Sequence, residues 1–441
     1  MNKNFFKGYD EAVSYILEIP RFSAKNDTNI TKEFLSLIGE PKEAVVIHVA
    51  GTNGKGSVCA FLNSIYIKKG EKTGLFTSPH LTDIRERIRV DNEMISKEEF
   101  LEAAEYIMEK ITLMQEKYNE YHPSFFEFLF FMAVRYFTVK KTEVIIYETG
   151  LGGRLDATNS IMRKSVSVIT EIGFDHMEYL GNDIASIAGE KAGIIMRNVP
   201  VVFWDGNEIS SSVIKETAKK LGCKAYGVNE KNAADISVHK KNIDFSYKNR
   251  YDKSVMFRVR TYALYQVYNA VLALKTLQVL HGEDYIFTDD VKEGIADMKW
   301  PGRMDEIAEG IITDGGHNED GIEAFVASVR QDGCIGKRRL IFSAVNDKQI
   351  KKICEILVKS DAFDNIALCE LTSGRAMSIK ELKKIFEDTL TENNSRIRLT
   401  VYEHVGEAFE GEKALLEKND ILYIAGSLYL VGEIREYTGA E

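Results

Sequence analysis

Short apolar runs alternate with longer amphipathic segments along most of the chain. Periods of two and of 3.6 residues predict strands near 44–49, 73–76, 143–147, 165–170 and 200–203, and helices near 56–69, 97–118, 124–139, 183–195 and 208–221. Ser124-x-x-Glu127, directly after Pro123, is typical of a capping box at a helix start. Because strand–helix alternation generates a mostly parallel sheet covered by helices, we expect an α/β fold.

A polar stretch at 228–260 interrupts this rhythm, and its weak period-two alternation predicts a small antiparallel excursion before a helix at 262–280. Pro301-Gly302 then punctuates the chain. The alternation restarts with strands near 311–313, 339–343, 365–369, 398–402 and 420–424, and helices near 318–329, 348–359, 378–389 and 404–417. We therefore predict two domains, 1–296 and 297–441, of which the second is a smaller α/β domain.

Composition narrows the classes of function. A length of 441 residues suits two domains, and a formal charge of −10 argues against a general nucleic-acid binder. The five cysteines include no C-x-x-C pair, which favours reduced thiols. The first residues do not resemble a leader, and no apolar run is long enough to span a bilayer. We expect a cytoplasmic protein that binds neither nucleic acid nor membrane.

The segment "HVAGTNGKGSV" (48–58) lies between a predicted strand and a predicted helix. Its glycines let backbone N–H groups converge at a helix N-terminus, which makes an anion site, and Lys55 adds a positive charge. Lys55 would lie along the phosphates of a nucleotide, and Ser57 could offer its hydroxyl to Mg²⁺. The strict G-x-x-x-x-G-K-[ST] pattern is not met, since Val49 replaces its first glycine and Gly56 separates Lys55 from Ser57. By itself the segment also fits an ordinary glycine-rich turn.

A nucleotide site requires a divalent cation, so acidic or imidazole ligands should follow neighbouring strands. Glu148 ends one predicted strand, and His176 follows another by a few residues. Ser78, in the loop that begins at Ser78-Pro79, is a third candidate ligand. The alternatives are a solvated carboxylate for Glu148 and a capping or core histidine for His176.

Two basic features complete the candidates. Arg85, Arg87 and Arg89 would share one side of an extended segment and could capture a substrate carboxylate, and we assign Arg85 to that task; a solvated edge strand is the alternative. Lys191 lies among small residues in "GEKAGI", which favours close packing against another backbone over a surface position.

An ordered set of motifs then resembles one family. The motifs are "HVAGTNGKGSV", "FTSPHL", "ETGLGGRLDATN", "GFDHMEYLG", "GEKAGII", "WPGRMD", "DGGHN" and "AGSLYLVGE". Together they resemble the folylpolyglutamate synthase family, including its bacterial folylpolyglutamate synthase/dihydrofolate synthases, of the Mur ligase superfamily. The resemblance runs from Arg21-Phe22 to Glu433, with one small departure at Gly316, where the family often has alanine.

The resemblance implies a P-loop-type, mostly parallel sheet ATPase domain with a folate site (1–296), followed by a Rossmann-like glutamate-ligase domain (297–441). It implies a monomer that uses ATP and Mg²⁺ at two sites to join L-glutamate to the γ-carboxylate of a folate through an acyl phosphate.

Residue by residue, the resemblance implies four groups. ATP would be bound by Gly51, Thr52, Asn53, Gly54, Lys55, Gly56, Ser57, Asn269, Arg303 and Asp314. The metal ligands would be Ser57, Ser78, Glu148 and His176, and the catalytic residues Lys55, Lys191 (carbamylated in this family) and His317. Folate would contact Arg85, Phe125, Phe126, Glu127, Leu155, Asp156 and Ala157.

Two alternatives remain at this stage. Many bacterial relatives also make dihydrofolate from dihydropteroate and L-glutamate, and the sequence does not decide between one activity and both. A nucleotide-switch protein would instead need a base-reading motif such as N-K-x-D, and Asn346-Asp347-Lys348 lacks that order.

Overall fold

The computed structural model describes residues 5–20, 28–248, 254–345, 349–372 and 376–440. Arg21-Phe22, Asn346-Asp347-Lys348 and the predicted helix start at Lys348 lie outside these residues. The chain forms two compact units, one of Met1–Asn232 with Asn269–Asp297, the other of Ala233–Tyr268 with Met298–Glu441. The functions assigned to the two predicted domains stay predictions.

The first unit contains one mixed sheet and the helices that cover it. Its elements are α1 (Tyr9–Glu18), α2 (Thr28–Ile38), β1 (Val45–Ala50), α3 (Lys55–Lys68), β2 (Thr73–Phe76), β3 (Ile88–Val90), β4 (Glu93–Met94), α4 (Lys97–Gln115), α5 (Phe125–Lys140), β5 (Val144–Glu148), β6 (Val166–Ile169), α6 (Met177–Leu180), α7 (Ile184–Ala192), β7 (Val201–Trp204), α8 (Glu208–Lys220) and β8 (Ala225–Val228). The helix α9 (Tyr265–His281) begins in the second unit and ends in the first, and α10 (Asp289–Asp297) follows it.

The order of the strands decides which loops meet. In the described residues the sheet of the first unit runs β4-β3-β2-β5-β1-β6-β7-β8, and it is parallel from β2 to β8. Val49 pairs with Glu148 of β5 on one side and with Val168 of β6 on the other. The carboxyl ends of β2, β5, β1 and β6 therefore lie side by side, which is where ligands bind in open α/β sheets.

Helix α5 shows how the sequence specifies this core. Ser124 and Glu127 form the predicted capping box, which satisfies backbone N–H groups at the start of the helix and fixes where it begins. Beyond the cap the helix is apolar on nearly all sides, so it is buried rather than amphipathic. Its phenylalanines pack with residues of α1, α2 and α4, and Phe131 stacks on Phe34 at a centroid distance of 4.4 Å.

The second unit contains two sheets. Its elements are β9 (Ala233–His239), β10 (Asn242–Lys248), β11 (Ser254–Val259), β12 (Arg303–Ala308), β13 (Ile311–Asp314), α11 (Glu319–Val329), β14 (Arg338–Phe342), α12 (Ile350–Lys359), β15 (Asn365–Glu370), α13 (Ile379–Glu392), β16 (Arg398–His404), α14 (Val405–Lys413), β17 (Ile421–Ala425) and α15 (Leu428–Thr438). The strands β9 to β11 form the predicted antiparallel excursion, and the larger sheet has the order β12-β13-β17-β14-β15-β16. Apart from the β12–β13 pair this sheet is parallel.

The predicted α/β class, with mostly parallel sheets and a smaller second α/β part, is confirmed. Among the described residues no helix combines the length and the apolarity needed to cross a membrane.

Candidate active site

The glycine-rich turn follows β1 and enters α3, as predicted. Gly51 has φ 154°, and a Cβ on it would lie 1.8 Å from Thr170 Oγ1, so only glycine fits against the end of β6. Thr170 Oγ1 donates to the Asn53 carbonyl at 2.6 Å. The turn is thus held against the neighbouring strand end by a residue to which the sequence analysis gave no site role.

The amide groups of this turn divide into two sets. The N–H groups of Thr52 and Asn53 donate to the Glu171 carbonyl at 2.7 and 3.3 Å. Helix α3 begins at Lys55, and its N-cap, Gly54, has φ 84° and provides no capping side chain. The N–H groups of the first turn of α3 are therefore the ones suited to an anion, a narrower set than the sequence predicted.

Two lysines converge on one carbonyl group of this turn. Lys55 Nζ donates to the carbonyls of Gly51 and Thr52 at 3.1 and 3.0 Å. Lys191 Nζ, from α7, donates to the same Gly51 carbonyl at 2.6 Å. Lys191 is buried, and burial, reinforced by the charge of Lys55, lowers the pKa of Lys191 to about 7. Lys191 thus belongs to the phosphate turn and not to the surface.

The glycines around Lys191 differ in how closely the rest of the chain packs against them. A Cβ at Gly193 would lie 2.5 Å from Arg154 Cα, so the predicted close backbone packing is confirmed there. A Cβ at Gly189 would meet no atom of the described chain within 4 Å, so the expectation is wrong for that residue.

Ser57 carries a polar atom that suits a cation or a phosphate. Its hydroxyl is buried and has no hydrogen-bond partner within the described part of the protein. A buried hydroxyl without a partner is costly, and a bound Mg²⁺ or phosphate oxygen would satisfy it. This side chain therefore fits its predicted place beside a metal and a nucleotide.

The other candidate ligands lie at the ends of neighbouring strands. Glu148 is buried at the end of β5, and its Oε2 accepts a hydrogen bond from the Ser78 amide at 3.0 Å. His176 follows β6 with φ 50°, and its Nε2 lies 3.8 Å from Asp175 Oδ1. Asp175 in turn acts electrostatically on Lys191, opposing the fall of its pKa. Across the described ranges no three His, Cys, Asp or Glu side chains form a ready-made metal cluster, so a metal here would also need hydroxyl or substrate oxygens.

The three arginines do not line one face as an extended segment would. Residues Ile84–Arg87 form a 3₁₀ turn capped by Asp83, and only residues 88–90 are extended. Arg85 pairs with Asp83 at 2.6 Å, whereas Arg87 is buried, with Nε 2.8 Å from His80 Nδ1. The capping geometry of Asp83 overrides the alternation, and Arg85 is anchored beside a carboxylate of the protein itself.

The residues of "SFFEF" have distinct surroundings. Phe125 is buried beneath the Arg87 guanidinium, 5.3 Å from the ring centroid. Phe126 is half-buried, and a Cβ at Gly150 would lie 2.7 Å from its ring. Glu127 accepts hydrogen bonds from the amide and hydroxyl of Ser124, both at 2.8 Å. Glu127 is therefore a capping residue, and Phe126 is the member of this group that meets the loop after β5.

The loop after β5 is organised by Asp156. Asp156 Oδ2 accepts the amides of Gly150 and Leu151, both at 2.9 Å, and Oδ1 accepts the amide and hydroxyl of Thr158 at 3.0 and 2.5 Å. Leu155 is exposed, and Ala157 packs against the hydrophobic core that contains the phenylalanines of α5. Asp156 thus fixes the loop that presents Leu155.

Asn269 is the candidate that α9 contributes to the phosphate turn. A Cβ at Gly54 would lie 2.3 Å from Asn269 Oδ1, so the amide of Asn269 sits directly against the N-cap of α3. These residues are 215 positions apart in the sequence, and no local pattern could have shown their approach.

The candidates of the second unit form a cluster of their own. Arg303 and Asp314 are paired across β12 and β13, and a Cβ at Gly315 would lie 2.2 Å from an Arg303 guanidinium nitrogen. Asp314 is buried and accepts from the Tyr265 hydroxyl at 2.5 Å and the Gly316 amide at 2.7 Å. Burial raises the pKa of Asp314, and Arg303 opposes that rise. His317 Nδ1 lies 2.9 Å from the Gly315 carbonyl oxygen.

Two supporting residues were missed by the sequence analysis. Thr170 was taken only as the end of a strand, and it lies 117 positions from Asn53, so no local pattern marks their contact. Tyr265 lies on a helix 49 residues before its partner Asp314, and nothing local marks it.

Comparison with family models gives the class of protein. The Mur ligase middle domain matches residues 49–277, and the Mur ligase glutamate ligase domain matches residues 302–428. Both parts of the chain thus have the architecture of a Mur-type ligase.

The relatives give the group within that class. The dihydrofolate synthase/folylpolyglutamate synthase of Bacillus subtilis is 30% identical over 98% of this chain and 99% of its own length. The folylpolyglutamate synthase of Lacticaseibacillus casei is 31% identical over 73% of this chain and 77% of its own. Crystal structures of Mycobacterium tuberculosis folylpolyglutamate synthase complexed with ADP and AMPPCP match with a TM-score of 0.86 and 26% identity, over 95% of this chain and 96% of theirs. The chain belongs to the Mur ligase family and, within it, to the folylpolyglutamate synthase/dihydrofolate synthase group.

Proposed function

We propose that this protein is an ATP-dependent amide ligase that adds L-glutamate to the γ-carboxylate of tetrahydrofolate or of a folylpolyglutamate. In the first step a carboxylate oxygen attacks the γ-phosphorus of ATP, and ADP leaves. In the second step the glutamate amine attacks the acyl carbon, the carbon–oxygen bond to phosphate breaks, and the amine loses a proton. The products are the extended folate, ADP and phosphate.

The convergence of Lys55 and Lys191 on the Gly51 carbonyl, beside the uncapped first turn of α3, carries this proposal. Phosphoryl transfer gathers negative charge in its transition state, and a fixed cation, here Lys55, stabilises it together with the oriented amides of α3. Lys55 is the group we assign to the phosphates. Asn269, Arg303 and Asp314 would complete the ATP contacts, and His317 would act with them.

The residues proposed for Mg²⁺ are Ser57, Ser78, Glu148 and His176. Their hydroxyl, carboxylate and imidazole groups suit a hard cation, and the partnerless Ser57 hydroxyl supports the assignment. A bound Mg²⁺ would supply charge neutralisation at the phosphates. Lys191 would be carbamylated, since its amine is buried and its pKa of about 7 leaves a large neutral fraction that can add CO₂.

The folate would occupy the region of Phe126 and the loop after β5. The contact between Phe126 and Gly150 supports this, because an aromatic ring and an exposed Leu155 offer apolar surface to a pterin ring. Arg85 would meet a substrate carboxylate only while sharing its guanidinium with Asp83. Phe125, Glu127, Asp156 and Ala157 would shape the site from behind. We further propose a monomeric protein that works in the cytoplasm.

A chain-extension assay tests the proposal. Purified protein would be incubated with ATP, Mg²⁺, L-glutamate and tetrahydrofolate, and the product would be measured by mass. We expect the mass of one or more glutamyl residues to be added, with phosphate released in equal amount. Phosphate release without an extended folate would refute the ligase.

A bifunctional enzyme is the second candidate, and the combined name of the Bacillus subtilis relative favours it. Such an enzyme would also join L-glutamate to dihydropteroate. The same assay with dihydropteroate in place of tetrahydrofolate distinguishes the two candidates. If phosphate is released with tetrahydrofolate but not with dihydropteroate, the protein has only the folylpolyglutamate synthase activity.

A further inference from the structure

The loop proposed to contact folate is attached to the helix that carries Lys191. The Arg154 amide donates to the Glu190 carbonyl at 2.8 Å. Arg154 also packs so closely on Gly193 that no side chain fits there. The residues 150–159, here called the acceptor loop, therefore share a contact with the C-terminal end of α7.

Lys164 completes this attachment from beneath. Its Nζ donates to Asn159 Oδ1 and to the Ile194 carbonyl, both at 2.7 Å. Asn159 Nδ2 in turn donates to the carbonyls of Arg154 and Gly193, both at 3.0 Å. One buried side chain thus joins the end of the acceptor loop to the residues that directly follow α7.

The burial of Lys164 makes this contact significant. An exposed lysine adds little to stability, whereas Lys164 is 9% exposed, so losing its partners would leave buried polar groups unsatisfied. Burial lowers the pKa of Lys164 to about 7. The charge of Asp156 opposes this fall, and the charge of Lys32 adds slightly to it. A neutral amine still has two N–H groups for its two acceptors, so the link persists in both protonation states.

We propose that Lys164 is a positioning residue: acting through Asn159, it holds the acceptor loop at a fixed distance from Lys191 and the phosphate turn. The inference rests on the proposed function for what the loop binds, but the link itself does not. The acceptor carboxylate must meet the transferred phosphoryl group, and a displacement near 1 Å is enough to slow such a reaction. Loosening the loop should therefore weaken use of the folate and leave the use of ATP intact.

Steady-state kinetics of Lys164→Met provide the first test. This substitution keeps the aliphatic length and removes both hydrogen bonds. We expect the KM for the folate acceptor to rise about tenfold, as the loss of a buried hydrogen bond predicts, while the KM for ATP stays within about twofold. Lys164→Arg, which retains donors, should recover part of the loss. A kcat/KM for the folate acceptor within about twofold of wild type, or a KM for ATP that rises by the same factor as the KM for folate, would overturn the proposal.

Ser167→Ala is the matched control. Ser167 Oγ donates to the same Ile194 carbonyl at 3.1 Å, and among the described residues no hydrogen bond joins it to Asn159. We expect this variant to keep the wild-type KM for folate. A double-mutant cycle with Asn159→Ala then tests the route: if Lys164 acts through Asn159, adding Lys164→Met to Asn159→Ala should change KM little further. Additive effects would contradict the proposed route.

Hydrogen–deuterium exchange decides the link independently of activity. The amides of Gly150, Leu151 and Thr158 are all bonded to Asp156 and report opening of the acceptor loop. We expect them to exchange about tenfold faster in Lys164→Met than in wild type, and unchanged exchange would overturn the proposal. If wild type fails to extend folate but this exchange changes, the proposed function fails and the link stands. Should Lys164→Met not fold, Asn159→Ala replaces it in both measurements.

Discussion

The Gly51 carbonyl accepts hydrogen bonds from two lysines, Lys55 at 3.1 Å and Lys191 at 2.6 Å. Burial lowers the pKa of Lys191, and repulsion from the Lys55 charge at the same carbonyl lowers it further. The charge of Lys191 can therefore change near neutral pH, either because the amine releases a proton or because it forms a carbamate. The negative charge of a carbamate would replace a repulsion with an attraction to Lys55.

The substitution Lys55→Ala tests the phosphate assignment. We expect ligation to fall by about 10²–10³-fold, the usual effect of removing a group that stabilises transition-state charge, with little change in melting temperature. Lys68→Ala, at the other end of α3, is the control and should keep full activity. Turnover of Lys55→Ala within about tenfold of wild type would contradict the assignment.

The proposed carbamylation of Lys191 predicts a dependence on bicarbonate. Because CO₂ adds to the neutral amine, protein held without bicarbonate about one pH unit below the pKa of about 7 should lose activity. Returning it to higher pH with bicarbonate should restore activity. Native mass spectrometry of active protein should show the added CO₂, and a fully unmodified Lys191 would refute the carbamate.

At the scale of elements, the two ends of α3 show how one backbone conformation serves different purposes. Gly54 and Gly70 both have left-handed φ angles, 84° and 77°. A Cβ at Gly54 would lie 2.3 Å from Asn269 Oδ1, whereas one at Gly70 would meet no described atom within 4 Å. Glycine is required at position 70 only because of the left-handed backbone conformation. At position 54 it is required also because the Asn269 side chain lies too close for a Cβ.

Alanine at these two positions should separate the effects. Gly70→Ala should destabilise the protein by about 1–2 kcal/mol, the cost of a Cβ in the left-handed region, and Gly54→Ala by more, because its Cβ would also displace Asn269. Only Gly54→Ala should raise the Kd for ATP, by about tenfold, because it displaces Asn269. Calorimetric titration with an ATP analogue measures this. Equal ATP affinities for the two variants would contradict the role of Asn269.

The elements themselves were predicted where the signals are long. Helices α4, α5 and α8 and strand β2 lie within one or a few residues of the sequence expectation, since periodicity and capping are local. The strands β3 and β4, of three and two residues, are too short for a period to appear. The 3₁₀ turn Ile84–Arg87 was mistaken for extended chain because alternating charges mimic a strand.

At the scale of the molecule, two buried lysines make stability depend on pH. The pKa values of Lys164 and Lys191 are each about 7, while an unfolded lysine titrates near 10.4. Above pH 7 the unfolded chain therefore binds more protons than the native one, so the free energy of unfolding rises with pH. The rise amounts to at most about 1.4 kcal/mol per pH unit for each lysine.

The substitution Lys164→Met should remove the contribution of Lys164 to this increase in the free energy of unfolding with pH. Between about pH 7 and pH 8.5 the melting temperature of wild type should gain on that of the variant by about 2 °C, because a rise of at most about 2 kcal/mol acts on a chain of 441 residues. Differential scanning calorimetry at both pH values measures the gain. Lys219→Met, an exposed position on α8, should run parallel to wild type. A constant difference between Lys164→Met and wild type would contradict the lowered pKa of Lys164.

The sequence by itself determined the α/β class, most of the strands and helices, and the family, because periodicity, caps and ordered motifs are local properties of the chain. Only the tertiary structure decided which residues meet. Lys191 reaches Gly51 across 140 positions, since the strand order β5-β1-β6 brings loops together that are distant in sequence. The same packing buries Lys191 and so lowers its pKa. Burial and strand order depend on the whole fold, and no local pattern encodes them.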